Sequence, residues 1–391
     1  MKIKKRAIIQ IIFSLSVITA CIIYYLYIND FIDFRILSAG DLNPYGGWSS
    51  LKSSLTDLSY RWRGISKSIG LTIAISVTTL LFGRFFCGYI CPIGSLQDFF
   101  KFIGKKLNIK EIKLKKTKYF NPEILKYLIL IITMVLSILG IGNLISIYSP
   151  WLSYMNIFIG FNIHIGTVVL FAIIIFSLFI KRIFCRCLCP LGAFQALLYA
   201  VGPFKVYKSS NCDGCSVCLK NCPVDIPYTD ELTVSPECIN CSECTSHMCI
   251  KGRQGFSYKF SGKLIKRYLL ISLIVFMSIY ILLPLTSSAK HVFTSGRASN
   301  LNDGAYTGRG MGFGGFMDVE IVIKDNIITD VRTINHRETT GYYEEVFKEI
   351  SKELKYSNNL NIDAISGATA TSRGYLNAVR DAVSKSLLTG R

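Results

Sequence analysis

Eight cysteines in one stretch of this chain carry the spacing of iron–sulfur ligands. Cys212, Cys215, Cys218 and Cys222 are separated by two, two and three residues and are followed by Pro223. Cys238, Cys241, Cys244 and Cys249 repeat the run with one extra residue before the last cysteine and no proline after it. This is the spacing of bacterial two-cluster ferredoxins, in which the fourth cysteine of each run crosses to the other cluster. On that pattern Cys212, Cys215, Cys218 and Cys249 hold one 4Fe–4S cluster, and Cys238, Cys241, Cys244 and Cys222 hold the other. A structural zinc site is the competing chemistry, and the doubled spacing argues against it. His247, beside a complete cysteine set, reads as a solvated loop residue.

Four more cysteines sit in two near copies. Arg84-Phe-Phe-Cys87-Gly-Tyr-Ile-Cys91-Pro92-Ile-Gly94 matches Arg182-Ile-Phe-Cys185-Arg-Cys187-Leu-Cys189-Pro190-Leu-Gly192, and Gln97 and Gln195 continue the match. Residues four apart project from one face of a helix. If the pairs Cys87/Cys91 and Cys185/Cys189 converge, a further iron–sulfur centre is available; buried packing of small residues near helix ends is the alternative. Cys21 and Cys187 read as packing residues, and His164 as a satisfied core histidine rather than a quinone or haem contact. All 14 cysteines lie at or before Cys249 and most are closely spaced, which implies a reducing compartment and thiolate ligands rather than disulfides.

The elements that would position these ligands are apolar. A helix needs ~20 predominantly apolar residues to cross a bilayer core. Five stretches are read as spans: 7–28, 69–86, 124–147, 165–180 and 264–285. The first follows a basic N-terminus and, lacking a small-x-small cleavage site, reads as an anchor rather than a cleaved leader. Lys and Arg outnumber Asp and Glu by 44 to 25, and these basic residues border apolar runs, which suits a membrane face better than nucleic acid. The segment 101–118 carries eight lysines and should stay cytoplasmic; Arg61, Arg63 and Lys67 in the preceding loop run against that orientation. Five crossings place everything after residue 286 outside. The expected localisation is a multi-pass cell-membrane protein with a cytoplasmic ferredoxin module and an extracytoplasmic C-terminal domain.

That C-terminal region has the composition of a water-soluble domain. The segment 304–315 is dense enough in glycine to predict irregular backbone closing on a flat ligand, and it lacks the Gly-Lys-Ser/Thr ending of a P-loop. Residues 317–331 alternate as a β-hairpin with Asp325-Asn326 at its turn, and 342–354 and 372–388 read as helices. Between those helices lies Asp363-Ala-Ile-Ser366-Gly367-Ala368-Thr369, small residues before a helix N-terminus, where an anion site and a plain N-cap are both open readings.

Two resemblances cover most of the chain. Residues 1–286 resemble the membrane-bound polyferredoxins that accompany periplasmic nitrate and nitrous oxide reductases, on the paired Cys-x3-Cys-Pro motifs and the two-cluster ferredoxin after them. That resemblance implies electron transfer between the membrane or cytoplasm and partners outside. Residues 302–388 resemble the FMN-binding domains of sodium-pumping NADH:quinone oxidoreductases and their ferredoxin-linked relatives, on the Asp363–Thr369 segment. It implies FMN joined by a flavin transferase to Thr369 through a phosphoester bond, within the motif formed by Ser366, Gly367 and Ala368. Asp363 then serves the transferase reaction or the loop geometry, and Glu338-Thr339-Thr340-Gly341 resembles the family's second flavin-contacting segment.

The expected fold is an α-helical membrane protein with five transmembrane helices, an inserted ferredoxin-like module and a C-terminal α+β FMN-binding domain. Its expected domains are 1–203, 204–260, 261–288 (the fifth span) and 289–391. Redox centres on both faces make it an electron conduit between a cytoplasmic donor and an extracytoplasmic acceptor, with the bilayer gap bridged by the membrane cysteines, a quinone, a partner subunit or a folded-down flavin domain. A redox sensor or maturation factor without sustained turnover is the alternative. A cation pump ranks last, because the spans hold almost no Asp or Glu. No acid–base or nucleophilic constellation appears, so the chain reads as a component of an oxidoreductase system rather than a self-sufficient enzyme.

Overall fold

An α-helix rises ~1.5 Å per residue, so a ~30 Å hydrocarbon core asks for about 20 helical residues. The computed structural model describes residues 5–34, 37–45, 67–114, 121–138, 148–160, 165–209, 212, 218, 221–226, 233–246, 255–265, 267–286, 301–355, 358–360, 362, 364–365 and 368–388. Among these, one helix is both long and apolar enough to cross a membrane: α1 (Lys5–Ile28), with 24 residues. The other expected spans fold into shorter helices: α3 (Lys67–Phe82) with 16 residues, α5 (Leu125–Ile138) with 14 and α7 (Ile165–Phe179) with 15. Helix α11 (Tyr268–Thr286) has Tyr268–Pro284 as its apolar stretch among the described residues. The five-helix membrane fold and the multi-pass localisation are therefore corrected, and the assignment of the two cofactor regions to opposite faces goes with them. The apolar runs were legible, but within the described residues their helices fall short of spanning length. Helix α3, for instance, gives way at Gly83 (φ +74°) to the buried Arg84 and a π-helical turn, Phe86–Ile90.

The described chain falls into two units. The first comprises Met1–Thr19, Thr72–Tyr154 and Ile163–Leu282. In it the two cysteine copies adopt the same local form. Cys87 lies in the π-helical turn, and Cys91, in extended backbone, precedes α4 (Pro92–Lys106). Arg182, left-handed at φ 45°, opens α8 (Ile183–Cys187), and Cys189, again extended, precedes α9 (Pro190–Val201). The extended second cysteine ends the first turn of each copy, and the proline after it takes the first position of a new helix, so neither pair shares one continuous helix. Strands β1 (Phe204–Lys208), β2 (Phe256–Phe260) and β3 (Lys263–Leu264) form an antiparallel sheet in that order, with Phe204 opposite Phe260 and Lys208 opposite Phe256. This pairing ties together the two ends of the cysteine-bearing segment 209–255. Phe204, Tyr258 and Tyr268 stack beneath the sheet, and the Tyr268 hydroxyl donates to the Phe82 carbonyl at 3.0 Å.

The second unit comprises Ala20–Leu71, Met155–Asn162 and Leu283–Arg391. Its centre is an antiparallel sheet of β4 (Gly304–Met311), β5 (Phe316–Lys324) and β6 (Ile327–Asn335). The β5 alternation is complete: Met317, Val319, Ile321 and Ile323 are all buried. Asp325 and Asn326, at φ 51° and 63°, make the two-residue turn expected of the hairpin, since both positions of such a turn need positive φ. Helices α12 (Tyr343–Leu354) and α13 (Thr369–Leu388) close the core with Val346, Ile350, Leu354, Tyr375, Ala378, Val379, Ala382 and Val383.

The glycine-dense segment is regular after all: most of it is strand β4. Its glycines serve helix–strand contact. A Cβ at Gly308 would lie 2.0 Å from the Ala378 carbonyl oxygen, and one at Gly310 would lie 2.0 Å from that of Gly374. Helix α13 thus rests directly on the β4 backbone, which explains the composition without an irregular loop. Gly310→Ala should push the two elements apart and destabilise this unit by about 3 kcal/mol, the upper range for overpacking; a lowered midpoint in thermal unfolding of the purified chain is the readout.

Candidate functional site

The second cysteine run folds as a tight loop in which backbone serves sulfur. Asn240 and Ser242 take left-handed φ values of 50° and 61°, and the Asn240 N–H donates to Cys238 Sγ at 3.4 Å. Burial pushes the Cys244 thiol up, and the neighbouring sulfurs of Cys238, Cys241, Cys222 and Cys218 push it further. Burial likewise raises Cys238, with Cys241 and Cys222 adding to it. Cys222, Cys238, Cys241 and Cys244, the set expected to hold one cluster, are therefore neighbours, with Cys238 and Cys241 buried and Cys222 and Cys244 half-buried. Of the other set, Cys212 and Cys218 are described, and Cys215 and Cys249 lie outside the described residues, as do His164 and His247. Among the described residues no three His, Cys, Asp or Glu side chains converge closely enough for a single metal ion. A polynuclear cluster spreads its thiolates more widely than one ion does, and it relieves their mutual repulsion by binding them deprotonated. Where such a cluster binds, these thiolates hold it and it supplies one-electron chemistry.

Cys87 packs against this loop, in one apolar cluster with Val224, Ile239 and Cys241. Burial raises the Cys91 thiol, and Cys185, Cys87 and Cys189 act on it through their proximity, so the four cysteines of the two copies do converge. Gln97 Nε2 donates to Cys185 Sγ at 3.2 Å, and Cys87 Sγ donates to Gln195 Oε1 at 3.3 Å. Two arginines, each 1% exposed, flank the group. Arg182 donates to the Cys87 carbonyl at 2.7 Å and to both Asp98 oxygens at 2.8 and 2.7 Å. Arg84 donates to the Glu237 carboxylate at 2.9 Å and to its carbonyl at 3.1 Å, and Lys126 and Tyr127 converge on the same carboxylate. Burial alone would raise Asp98, yet Arg182 and Arg6 hold its carboxyl down to about 2. The arginines and their acids were not singled out from the sequence as site residues; their place at the head of each repeated copy was the available signal.

In the second unit the 338–341 segment meets the N-terminus of α13. The buried Glu338 accepts the Gly314 N–H at 2.9 Å through Oε1 and the Thr371 hydroxyl through Oε2. Thr339 lends its carbonyl to the Tyr342 N–H at 3.2 Å, and Thr340 is half-buried beside Gly341, which takes φ +91°. Thr369 is the first residue of α13, and the buried Ala368 turns into it with its N–H on the Ile365 carbonyl at 3.0 Å. Thr369 thus sits on the first helical turn, three residues earlier than the helix was expected to begin. Asp363, Ser366 and Gly367 lie outside the described residues. The unpaired N–H groups at the start of a 20-residue helix attract phosphate, and through Thr371 the 338–341 segment is bonded to the first turns of that helix.

A 4Fe-4S binding domain family matches residues 67–110 and 163–209, which contain the two cysteine copies, and an FMN-binding domain family matches residues 312–384. An uncharacterized protein of Methanocaldococcus jannaschii is 35% identical over 211 residues, 51% of this chain and 82% of that protein. The putative electron transport protein YccM of Escherichia coli is 31% identical over 195 residues, 48% of this chain and 55% of that protein. The regulatory protein NosR of Pseudomonas aeruginosa is 28% identical over 175 residues, 43% of this chain and 24% of that protein. The chain belongs to the membrane-associated iron–sulfur and FMN-binding family of electron-transport accessory proteins that includes NosR, NirI, NapH and MauN. It is a redox protein and a component of an oxidoreductase-type system.

One carboxylate at the flavin cradle titrates near neutrality. Burial pushes Glu344 from the ordinary 4.5 up to about 7, although it accepts the Gly341 N–H at 2.8 Å. The folded state therefore holds a proton that the unfolded state releases between about 4.5 and about 7, and stability falls as pH rises through that window. The unit should melt lower at pH 8 than at pH 5 in calorimetry, and Glu344→Gln should flatten the difference. An equal slope in the variant would assign the dependence elsewhere.

Proposed function

We propose that this chain is a redox sensor or maturation factor of an oxidoreductase system, exchanging electrons through iron–sulfur clusters and a flavin without sustaining substrate turnover. The carrying observation is the union, in one chain, of an iron–sulfur domain and an FMN-binding domain, part of the chain being similar to a protein named as regulatory. In this reading two 4Fe–4S clusters bind at the ferredoxin runs, one at Cys212, Cys215, Cys218 and Cys249 and the other at Cys222, Cys238, Cys241 and Cys244. A flavin transferase joins FMN to Thr369 through a phosphoester bond. The position of Thr369 on the first turn of α13 supports that site, because the helix terminus neutralises a phosphate there. Glu338 locks the Gly314 backbone to Thr371 and fixes the wall of the cradle. The cofactors, when bound, supply one- and two-electron chemistry, and the chain sets their positions and potentials. Donor and acceptor are electron carriers of the same system, a quinone among them. The name of the Escherichia coli relative favours a second reading, a relay with continuous flux.

Expression of the full chain with and without a flavin transferase tests the flavin half. The mass should rise by one FMN, mapped to the peptide containing Thr369 and lost in Thr369→Ala; a chain that never gains the adduct removes covalent flavin from the account. Sensor and relay part in a second measurement. Continuous oxidation of a reduced viologen through the purified chain favours the relay. A reduction-dependent change in protease protection without turnover supports the sensor.

A further inference from the structure

Helix α4 presents two opposite faces. At 3.6 residues per turn, Ile93, Gly94, Gln97 and Gly104 fall on one side, and all four are buried. Contact there is close: a Cβ on Gly104 would lie 2.4 Å from the Leu178 carbonyl oxygen of α7. The other side carries Phe99 and Phe102, which are 57% and 49% exposed, and ends at the exposed Lys106. The chain keeps this character beyond the helix. Leu107 and Ile112 are 65% and 53% exposed, among the exposed Lys105, Lys110 and Lys113. The strip is fixed in place by the end of α7, because the Phe179 carbonyl accepts the Ile112 N–H at 3.1 Å and the Lys101 ammonium at 3.0 Å.

Charge narrows what can cover this strip. Its acids are already engaged, Asp98 by Arg182 and Arg6, and Glu111 by Lys101 and Lys181. Lys105, Lys106, Lys110 and Lys113 stand outside both groups and leave the strip cationic. Large apolar side chains set among lysines suit a surface that is apolar below and anionic above, with lysine stems lying along the apolar layer and ammonium groups reaching phosphate.

Position points the same way. Arg6 and Gln10, in the first two turns of α1, both bond Asp98, the residue before Phe99. The strip therefore begins at the basic end of the one described helix that is long and apolar enough to cross a membrane. Ile8, Ile11 and Ile12 of the same turns are exposed. Basic residues at the end of such a helix lie at the level of the lipid headgroups.

We propose that the exposed face of α4 and the segment 107–113 form an interfacial docking surface for acidic phospholipid. Phe99, Phe102, Leu107 and Ile112 enter the upper acyl layer of one leaflet, and the four lysines bind its anionic headgroups. The element lies on the bilayer and does not cross it, since α4 has 15 residues and gives one side to protein. Attachment of the first unit then depends on lipid charge and on ionic strength, whichever cofactors are bound.

The test places the purified full chain in lipid nanodiscs of phosphatidylcholine, or of an equal mixture with phosphatidylglycerol, and follows amide hydrogen exchange in peptides covering 99–113. Exchange there should be at least about tenfold slower in the mixed discs, with the amides of β5 unchanged as a control for folding. High salt should erase the difference, and so should Lys105→Gln, Lys106→Gln, Lys110→Gln and Lys113→Gln together. Phe99→Ser with Phe102→Ser, both on the exposed side, should speed exchange in either lipid. Equal exchange in the two kinds of disc overturns the preference for acidic lipid. Protection that is already complete in detergent and grows with protein concentration assigns the face to a second copy of the chain and overturns the docking surface itself.

Discussion

The first unit depends on the burial of two guanidinium groups. A buried charge without compensation costs several kcal/mol, and Arg84 and Arg182 are both almost wholly removed from solvent. Each meets an acid that is itself held by a second cation: Glu237 with Lys126, and Asp98 with Arg6. Glu237 lies next to Cys238 in the chain, and Arg6 also approaches Glu243, next but one to Cys241. The ion pairs that neutralise the arginines therefore also moor the second ferredoxin run against the cysteine copies. Fold and cofactor site are stabilised by one network, so the loss of any one of these charges would disturb both.

The second unit solves a different problem. FMN is flat and anionic at one end, and this unit offers backbone rather than charge: a helix terminus, a left-handed glycine and a segment pinned by one glutamate. Glycine density, which looks like a sign of disorder, instead allows a helix to lie on a strand with no side chain between them. The cradle is thus rigid where it meets the core at Gly310 and Gly374, and responsive at Glu344, which changes charge near neutral pH. Two kinds of redox cofactor are held by two kinds of contact within one chain.

Much of this was legible in the residues. The paired Cys-x3-Cys-Pro copies lie in the two stretches that the 4Fe-4S binding family matches, and the alternation of 317–331 gave a hairpin with the right turn. The Asp363–Thr369 segment pointed to a helix start. The five spans were not sound, because hydropathy measures how apolar a stretch is and says little about where its helix ends. Gly83 and the turn at Cys87, for instance, interrupt a stretch that is otherwise mostly apolar. The bonds between the two cysteine copies were hidden for another reason. A repeat shows which residues recur, but whether a side chain serves its own copy or the other one is decided only by packing.

Tyr24 and Tyr27, near the end of α1, reach into the flavin-binding unit. The Tyr24 hydroxyl donates to the Gly341 carbonyl at 3.2 Å, Lys348 donates to the Tyr27 carbonyl at 2.6 Å, and the Tyr27 hydroxyl bonds Glu349. Asn43 adds a bond to the Tyr342 hydroxyl. The flavin domain is thus no pendant on a loose tether. Gly341 is bonded to the one helix, among the described residues, that is long and apolar enough to cross a membrane. A change confined to the second half of α1 would therefore be felt in the backbone of the 338–341 segment and at the start of α12.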